Sequence, residues 1–283
     1  MSVPDLTVPG QGRGLIDVFG RRFLLRLLVK KELRVRYRGS LLGMVWSYVK
    51  PATQFVVFYI ALGVFLALNK GMEDYAVYLF SGIVVINFFS EGFSNGTRSI
   101  TSNAPLVKKI YLPRELFPVA SMWVSAVHFF PQLVVLLVGA LFAGWHPSVL
   151  GLLAAVVGFL TVSAFALGLG MLFAAVNVLF RDAENLVDLL VMVFTWTSPI
   201  MYAWPKVAAV LPTWAFTVYQ INPITSAVEL FHAAFWYPGT SGSTPLPPHL
   251  PMFGFLGLVI AGLFLMLGQA VFHRVEGRFA QEL

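Results

Sequence analysis

The 283-residue chain has no cysteine and very little charge. Without Cys there is no disulfide, no thiolate metal site and no Cys nucleophile, and the compartment stays open on this criterion. Charged residues make up only 11% of the chain and hydrophobic residues 58%. An ordinary soluble domain carries about 25% charged residues, so these residues cannot build a water-facing surface. No Gly-Lys pair occurs, which excludes the phosphate-cradling loop GxxxxGK[ST]. No HExxH or similar metal spacing is present, and nothing places a nucleophile beside its base. The short alternating strands of a membrane β-barrel are missing too.

What is there instead is a set of apolar runs, each about as long as a membrane-spanning helix requires. Six stand out, at Pro51–Leu68, Tyr75–Ser94, Leu116–Phe142, Leu150–Leu179, Leu186–Met201 and Met252–Phe272. The predicted fold is an all-α integral membrane protein with six transmembrane helices. An N-terminal amphipathic interfacial helix precedes them, and an outer re-entrant hairpin precedes the last span. The organisation is a disordered tail over 1–14, the interfacial helix and lead-in to the first span over 15–50, and one transmembrane domain over 51–283. No internal repeat is evident.

Basic residues set the orientation. Ten lie in the N-terminal region up to Lys50, four between Arg98 and Arg114, one at Arg181 and two at Arg274 and Arg278; the intervening loops hold only Lys70 and Lys206. By the positive-inside rule both termini are cytoplasmic, and six spans satisfy that parity. The net charge of +6 then reads as topology and contact with anionic lipid rather than with nucleic acid. The segment Leu211–Trp236 is apolar but interrupted at Asn222-Pro223. Non-helical backbone at membrane depth needs cover from protein or a wet cavity. Met201–Pro251 is therefore either a gate region or an interfacial loop with Trp and Tyr anchors.

Leu15 to Arg38 reads as one helix. Arg22, Arg26, Lys30, Arg34 and Arg38 recur at i, i+4 as a ridge, with Phe23, Leu24, Leu27, Leu28 and Val35 on another side. Such a helix lies in the membrane interface. Its basic side is either a topological anchor or a site for a phosphorylated lipid headgroup, with Arg34, Arg36 and Arg38 nearest the first span. In the loop 98–115, Ser102 or Asn103 caps a short helix with Pro105 in its first turn. That helix presents Leu106, Ile110 and Tyr111 beside Lys108 and Lys109, suited to a groove in a soluble partner or to the lipid surface. The ionisable groups within or beside apolar segments, Glu91, His128, Asp188 and Glu229, are scattered. An intramembrane charge is a functional hypothesis by default, while His128 reads as a hydrogen-bonded core residue rather than a ligand.

Several stretches together resemble the membrane subunits of type-2 ABC exporters of polysaccharides. They are Arg34-Val-Arg36-Tyr37-Arg38-Gly39-Ser40-x-Leu42-Gly43-x-x-Trp46-x-x-x-x-Pro51, Ser102-Asn103-Ala104, Lys108-Lys109 with Pro113-Arg114-Glu115, and Leu179-Phe180-Arg181-Asp182. Ser198-Pro199-Ile200-Met201-Tyr202, Asn222-Pro223 and Phe272-x-Arg274-x-Glu276-x-x-Phe279-Ala280 continue the match. It covers nearly the whole chain in order, except Met1–Gly14.

The resemblance implies a homodimer in a bacterial plasma membrane, joined to two copies of a separate ATPase that binds the ATP and Mg. This chain itself would hold no cofactor and carry out no catalysis. The cargo implied is a lipid-linked polysaccharide on polyprenyl pyrophosphate, such as an O-antigen, a teichoic acid or a galactan. Ser102, Asn103, Leu106, Lys108, Lys109 and Ile110 would form the main coupling helix, with Arg181 and Asp182 in a second ATPase contact. The first and fifth spans would line the channel through Phe55, Phe58, Tyr59, Phe65, Phe194 and Trp196, whose faces suit sliding sugar rings. Such stripes also serve as ordinary bundle packing. Pro199, Tyr202, Asn222 and Pro223 would belong to an outer gate. Two other classes remain open: a type-2 permease for a drug or simple lipid, and a membrane enzyme that modifies a glycan or lipid.

Overall fold

The computed structural model describes residues 14–109 and 112–283, and among these every regular element is helical. The expected tail over 1–14, except Gly14, and the positions Ile110 and Tyr111 lie outside the described residues. Among the described residues, five segments are long and apolar enough to cross a membrane: Gly43–Phe65, Tyr75–Arg98, Leu116–Phe142, Val149–Leu179 and Leu250–Glu282.

Helices α1 (Leu15–Gly20) and α2 (Arg22–Tyr37) form the N-terminal arm, broken at Arg21 where one continuous helix was expected. A short turn then leads into α3 (Trp46–Phe58), which continues as a π-helical segment over Tyr59–Phe65. The first span therefore starts before Pro51, not at it. Pro51 lies inside α3, at the cost of one backbone hydrogen bond. Next come α4 (Tyr75–Arg98), the short α5 (Ala104–Lys109), α6 (Leu116–Phe142) and α7 (Val149–Leu179).

The run expected at Leu186–Met201 folds as α8 (Ala183–Thr197), of 15 residues. At 1.5 Å per residue it is roughly 22 Å long, short of a bilayer core of about 30 Å. It stops there because Ser198 precedes Pro199, and a residue before proline is pushed out of the helical region. Short helices α9 (Trp204–Ala208), α10 (Thr213–Ile221) and α11 (Pro223–Phe231) follow. The chain ends with α12 (Leu250–Val275) and α13 (Phe279–Glu282).

α4 is the hub, touching α6, α7, α8 and α11. Two crossings depend on missing side chains. A Cβ on Gly96 of α4 would stand 3.1 Å from the Gly170 Cα of α7, and a Cβ on Gly268 of α12 would stand 2.0 Å from the Gly168 carbonyl oxygen. Small residues at such crossings let backbones approach, and dispersion then holds helices together where lipid offers no hydrophobic drive. The larger apolar cluster surrounds α4. A second gathers Ile100, Val107, Phe117, Phe272 and Phe279 with Leu28 of α2 at the end of the bundle carrying Arg98 and Arg114. We call this the basic end. Here α2 docks through Leu24, Leu25, Leu28 and Val29. Phe23 and Val35, expected on the same side as Leu24, stay 72% and 61% exposed.

Candidate functional site

Inside the apolar α4, Asn87, Ser90, Glu91 and Ser94 fall at i, i+3, i+4 and i+7. This places four polar groups on one helical face. Opposite stand His128 and Gln132, one turn apart on α6. The C-terminal end of α2 brings Arg36 and Tyr37, and the first span brings Ser47, Lys50 and Gln54. Together these groups line a cavity of about 830 Å³.

The charged centre of this cavity is tightly paired. Arg36 forms an ion pair with Glu91, and His128 Nδ1 lies 2.6 Å from the same carboxylate oxygen. The Tyr37 hydroxyl lies 2.7 Å from His128 Nε2 and 2.8 Å from the Ser47 hydroxyl. One assignment satisfies all three groups: Nδ1–H donates to Glu91, Tyr37 donates to Nε2, and Ser47 donates to Tyr37. The cluster ties the arm, the first span, α4 and α6 together. It also brings together three groups that are far apart in the sequence.

The loops at the basic end are joined as well. Arg98 Nε donates to Glu184 at 2.9 Å, and Asn177 donates to the same carboxylate at 3.1 Å and to the Thr101 hydroxyl at 3.3 Å. Asn103 is 3% exposed. Its amide donates to the Ser99 carbonyl at 2.8 Å, and its carbonyl accepts from Lys31 of α2. Glu32 of α2 accepts from Ser121 at 3.3 Å. Burial pushes the Glu32 carboxyl above the ordinary range, against the pull of Lys31 and the Ser121 and Asn103 donors. Leu106 packs into the second apolar cluster, so the free face of α5 consists of Pro105, Lys108 and Lys109, with Ser102 exposed just before it. Arg181 and Asp182 are exposed at the start of α8.

At the opposite end, the Tyr78 hydroxyl lies 2.9 Å from the Pro199 carbonyl and 3.0 Å from that of Tyr202, and Tyr202 donates to the Trp196 carbonyl at 2.7 Å. Asn222 joins α10 to α11 as the N-cap of α11, accepting from the Ile224 amide at 2.9 Å, with Pro223 at the first helical position. α11 is buried along its whole length. Of the aromatics, Phe55 and Tyr59 meet Phe80 and Tyr75 of α4, and Phe58 meets Trp196 with ring centres 6.5 Å apart. Phe194 packs edge-on against Phe89 and Phe165, whereas Phe65 and Trp196 are 77% and 56% exposed. Arg34 and Arg38 are exposed on the ridge, while Arg36 turns into the cavity.

The sequence profile of ABC-2 type transporters matches residues 24–236. The chain belongs to this family. It is 26% identical to the O-antigen export system permease protein RfbA of Klebsiella pneumoniae over 263 residues, covering 92% of this chain and 95% of the relative. A Myxococcus xanthus protein of the same description is 26% identical over 81% of this chain and 86% of its own length. The polysialic acid transport protein KpsM of Escherichia coli is 22% identical over 85% and 91%.

The profile match to the ABC-2 family includes the whole polar cavity. Sequence reasoning singled out Arg36, Glu91 and His128 separately and missed their meeting. It gave Tyr37 and Lys50 no role in a site and passed over Gln54 and Gln132. The row at 87, 90, 91 and 94 is the one local signal that pointed there, a polar stripe in an otherwise apolar span. A second cluster, His273 with Glu276 at 2.9 Å and Glu115 at 3.9 Å, joins the start of α6 to the end of α12 and was also unforeseen.

Proposed function

We propose that this ABC-2 chain is the permease subunit of an exporter. It would move a lipid-linked polysaccharide from the cytoplasmic to the outer side of a bacterial plasma membrane. The observation that carries the reading is the end-to-end similarity to O-antigen and polysialic acid export proteins. A homodimer of the chain is driven by two copies of a separate ATPase, since no phosphate-cradling loop occurs in the sequence. α8, too short to cross by itself, supplies the sixth crossing together with the stretch that follows Ser198, and both termini lie in the cytoplasm with the basic end. The basic arm lies along the membrane interface, and the α10–α11 hairpin re-enters from the outer side as part of a gate with Pro199 and Tyr202.

ATPase closure pushes on Ser102, Pro105, Lys108 and Lys109 of the first loop and on Arg181 and Asp182 of the second. The Arg98–Glu184 bridge makes the two loops move as one body. Because Leu106 is part of the apolar packing, the decisive variant is charge reversal at the exposed Lys108 and Lys109. The double variant K108E/K109E, still folded, is expected to lose most ATPase co-purification and export. If both survive unchanged, the coupling assignment is wrong. A wild-type chain that hydrolyses ATP alone would remove the separate ATPase from the scheme.

The Arg36–Glu91–His128 cluster favours one competing reading, a membrane enzyme using an acid–base pair. That reading requires a glycan- or lipid-modifying activity in the purified chain that Glu91→Gln abolishes.

A further inference from the structure

The cluster at the foot of the last span has no part in the export scheme. Glu115 closes the loop that carries Lys108 and Lys109, immediately before α6, and His273 and Glu276 lie one turn apart at the end of α12. One nitrogen and two carboxylate oxygens converge there. His273 Nδ1 is 2.9 Å from Glu276 Oε1 and 3.9 Å from Glu115 Oε1, and all three atoms lie within 4.8 Å of one another. Glu115 and Glu276 are 3% and 6% exposed, while His273 is half-buried and leaves an approach to the cluster.

Charge makes this arrangement costly as it stands. Two buried carboxylates repel each other, and each needs a positive or hydrogen-bonding partner. The chain's own donors fall short. Glu115 Oε1 accepts no hydrogen bond from any described residue. His273 Nδ1, close as it is to Glu276, is out of line for a hydrogen bond. Arg114 turns its guanidinium over the Phe279 ring, 5.7 Å from the ring centre, and forms no ion pair with either carboxylate among the described residues. A buried acceptor and a ring nitrogen, both without hydrogen-bond partners, therefore converge on one point.

A divalent cation at that point answers all three groups. It accepts the lone pairs of a neutral imidazole and of both carboxylates at once, whereas a single N–H on His273 serves one oxygen. Ligands roughly 2.0–2.2 Å from a tetrahedral ion stand about 3.3–3.6 Å apart. The separations of 2.9 and 3.9 Å bracket that range. The nitrogen selects the metal. Calcium and magnesium take oxygen ligands, while imidazole beside carboxylates suits zinc and its neighbours in the first transition row.

We propose that Glu115, His273 and Glu276 form a divalent transition-metal site, best matched to zinc, which fastens the loop bearing Lys108 and Lys109 to the last span. The two ends already meet through apolar packing, since Leu116, Phe117, Phe272 and Phe279 share one cluster. The ion adds a link that exists only in the folded arrangement, and so stabilises this end of the bundle. The site is independent of what the permease exports.

The test uses the full chain in lipid nanodiscs, without a histidine tag, stripped with EDTA and titrated with zinc chloride. Wild type is expected to take up one zinc per chain, and cobalt in its place to give the visible absorption of a four-coordinate site. H273Q changes a half-exposed side chain and should still fold. It is expected to weaken zinc binding about 100-fold or more, since even outer-shell losses cost roughly 10–100-fold. Glu115→Gln and Glu276→Gln should do the same, and H146Q, at an exposed histidine, should bind as wild type does. Zinc is expected to slow amide exchange over 112–118 and 279–282 in wild type and not in H273Q. No saturable uptake of zinc, or uptake unchanged in H273Q, overturns the proposal and leaves the cluster a hydrated ion-pair network. Equal competition by magnesium overturns the nitrogen ligand. Zinc lost from H128Q but kept by H273Q places the ion at Glu91 instead. An ion lost from H273Q and E276Q but kept by E115Q sits on α12 alone, and the fastening role falls.

Discussion

The first span and the second are neighbours in sequence and similar in hydropathy, yet 72% of the second's apolar window is buried inside the chain and only 11% of the first's. α4 is wrapped by α6, α7, α8 and α11. The first span leans on α4 through Phe55 and Tyr59 and leaves cavities behind it. Val56, Val57, Val64 and Phe65 face outward. A dispersion-held core tolerates no gaps, so the second span is scaffold. The first is a wall whose other side needs lipid, cargo or a second subunit.

The largest expected effect tests the scaffold half of that contrast. Gly268→Leu would drive a side chain into the Gly168 backbone, where even a Cβ stands 2.0 Å from the carbonyl oxygen. Overpacking of a tight site costs about 1–3 kcal/mol or more, and here the obstacle is backbone. We expect G268L to abolish a monodisperse peak in size-exclusion chromatography. The added methylene of Val57→Leu on the half-exposed first span should leave the melting temperature within error. A first-span variant as damaging as G268L would erase the distinction between scaffold and wall.

The second test concerns what holds the wall in place. Glu91→Gln keeps the shape but removes the charge that anchors Arg36 and receives His128. Breaking a well-buried pair costs about 3–5 kcal/mol. Arg36 and Glu91 are 35% and 24% exposed, and solvent screening lowers that to about 1–2 kcal/mol. The loss should be local. Hydrogen exchange is expected to quicken over residues 43–58 and stay unchanged in α7 and α12. Uniform quickening would mean that the cluster supports the whole bundle.

The same contrast explains what was legible in the sequence. Long apolar runs give α4, α6, α7 and α12 to within a few residues, because helix length in a membrane is fixed by bilayer thickness. Pro51 misled because proline usually opens a helix, whereas here the helix already begins at Trp46. The fifth run ended early because Ser198-Pro199 breaks the backbone while leaving hydropathy high. Asn103 reads locally as a surface cap. Only the folded chain shows it buried between Ser99 and Lys31. The cavity failed to appear for the same reason. Its polar stripe on α4 is periodic, but Arg36 reaches Glu91 across 55 residues of sequence, and no local pattern encodes such a pairing.

The smallest expected effect lies at the two ends of the first span, where two carboxylates respond to pH with opposite sign. Glu73, just after the span, accepts from the Ser241 amide at 2.7 Å and from its hydroxyl at 2.6 Å. The hydroxyl bond, then the amide bond, hold its carboxyl below the ordinary range. A lowered folded value means that this pin is present above about pH 4.5 and is lost as pH falls through the folded value below that. Glu32, before the span, is raised by burial. Its contribution to docking of α2 is full below about pH 4.5 and is lost as pH rises through the higher folded value. Acidification from neutral pH should therefore first slow exchange in α2, and only at lower pH release the Ser241 amide. Glu32→Gln, which keeps an acceptor for Ser121, should flatten the α2 response and leave that of Ser241 untouched. If both amides change in the same direction, the two ends of the wall are not independently tethered, and the first span moves with the scaffold as one piece.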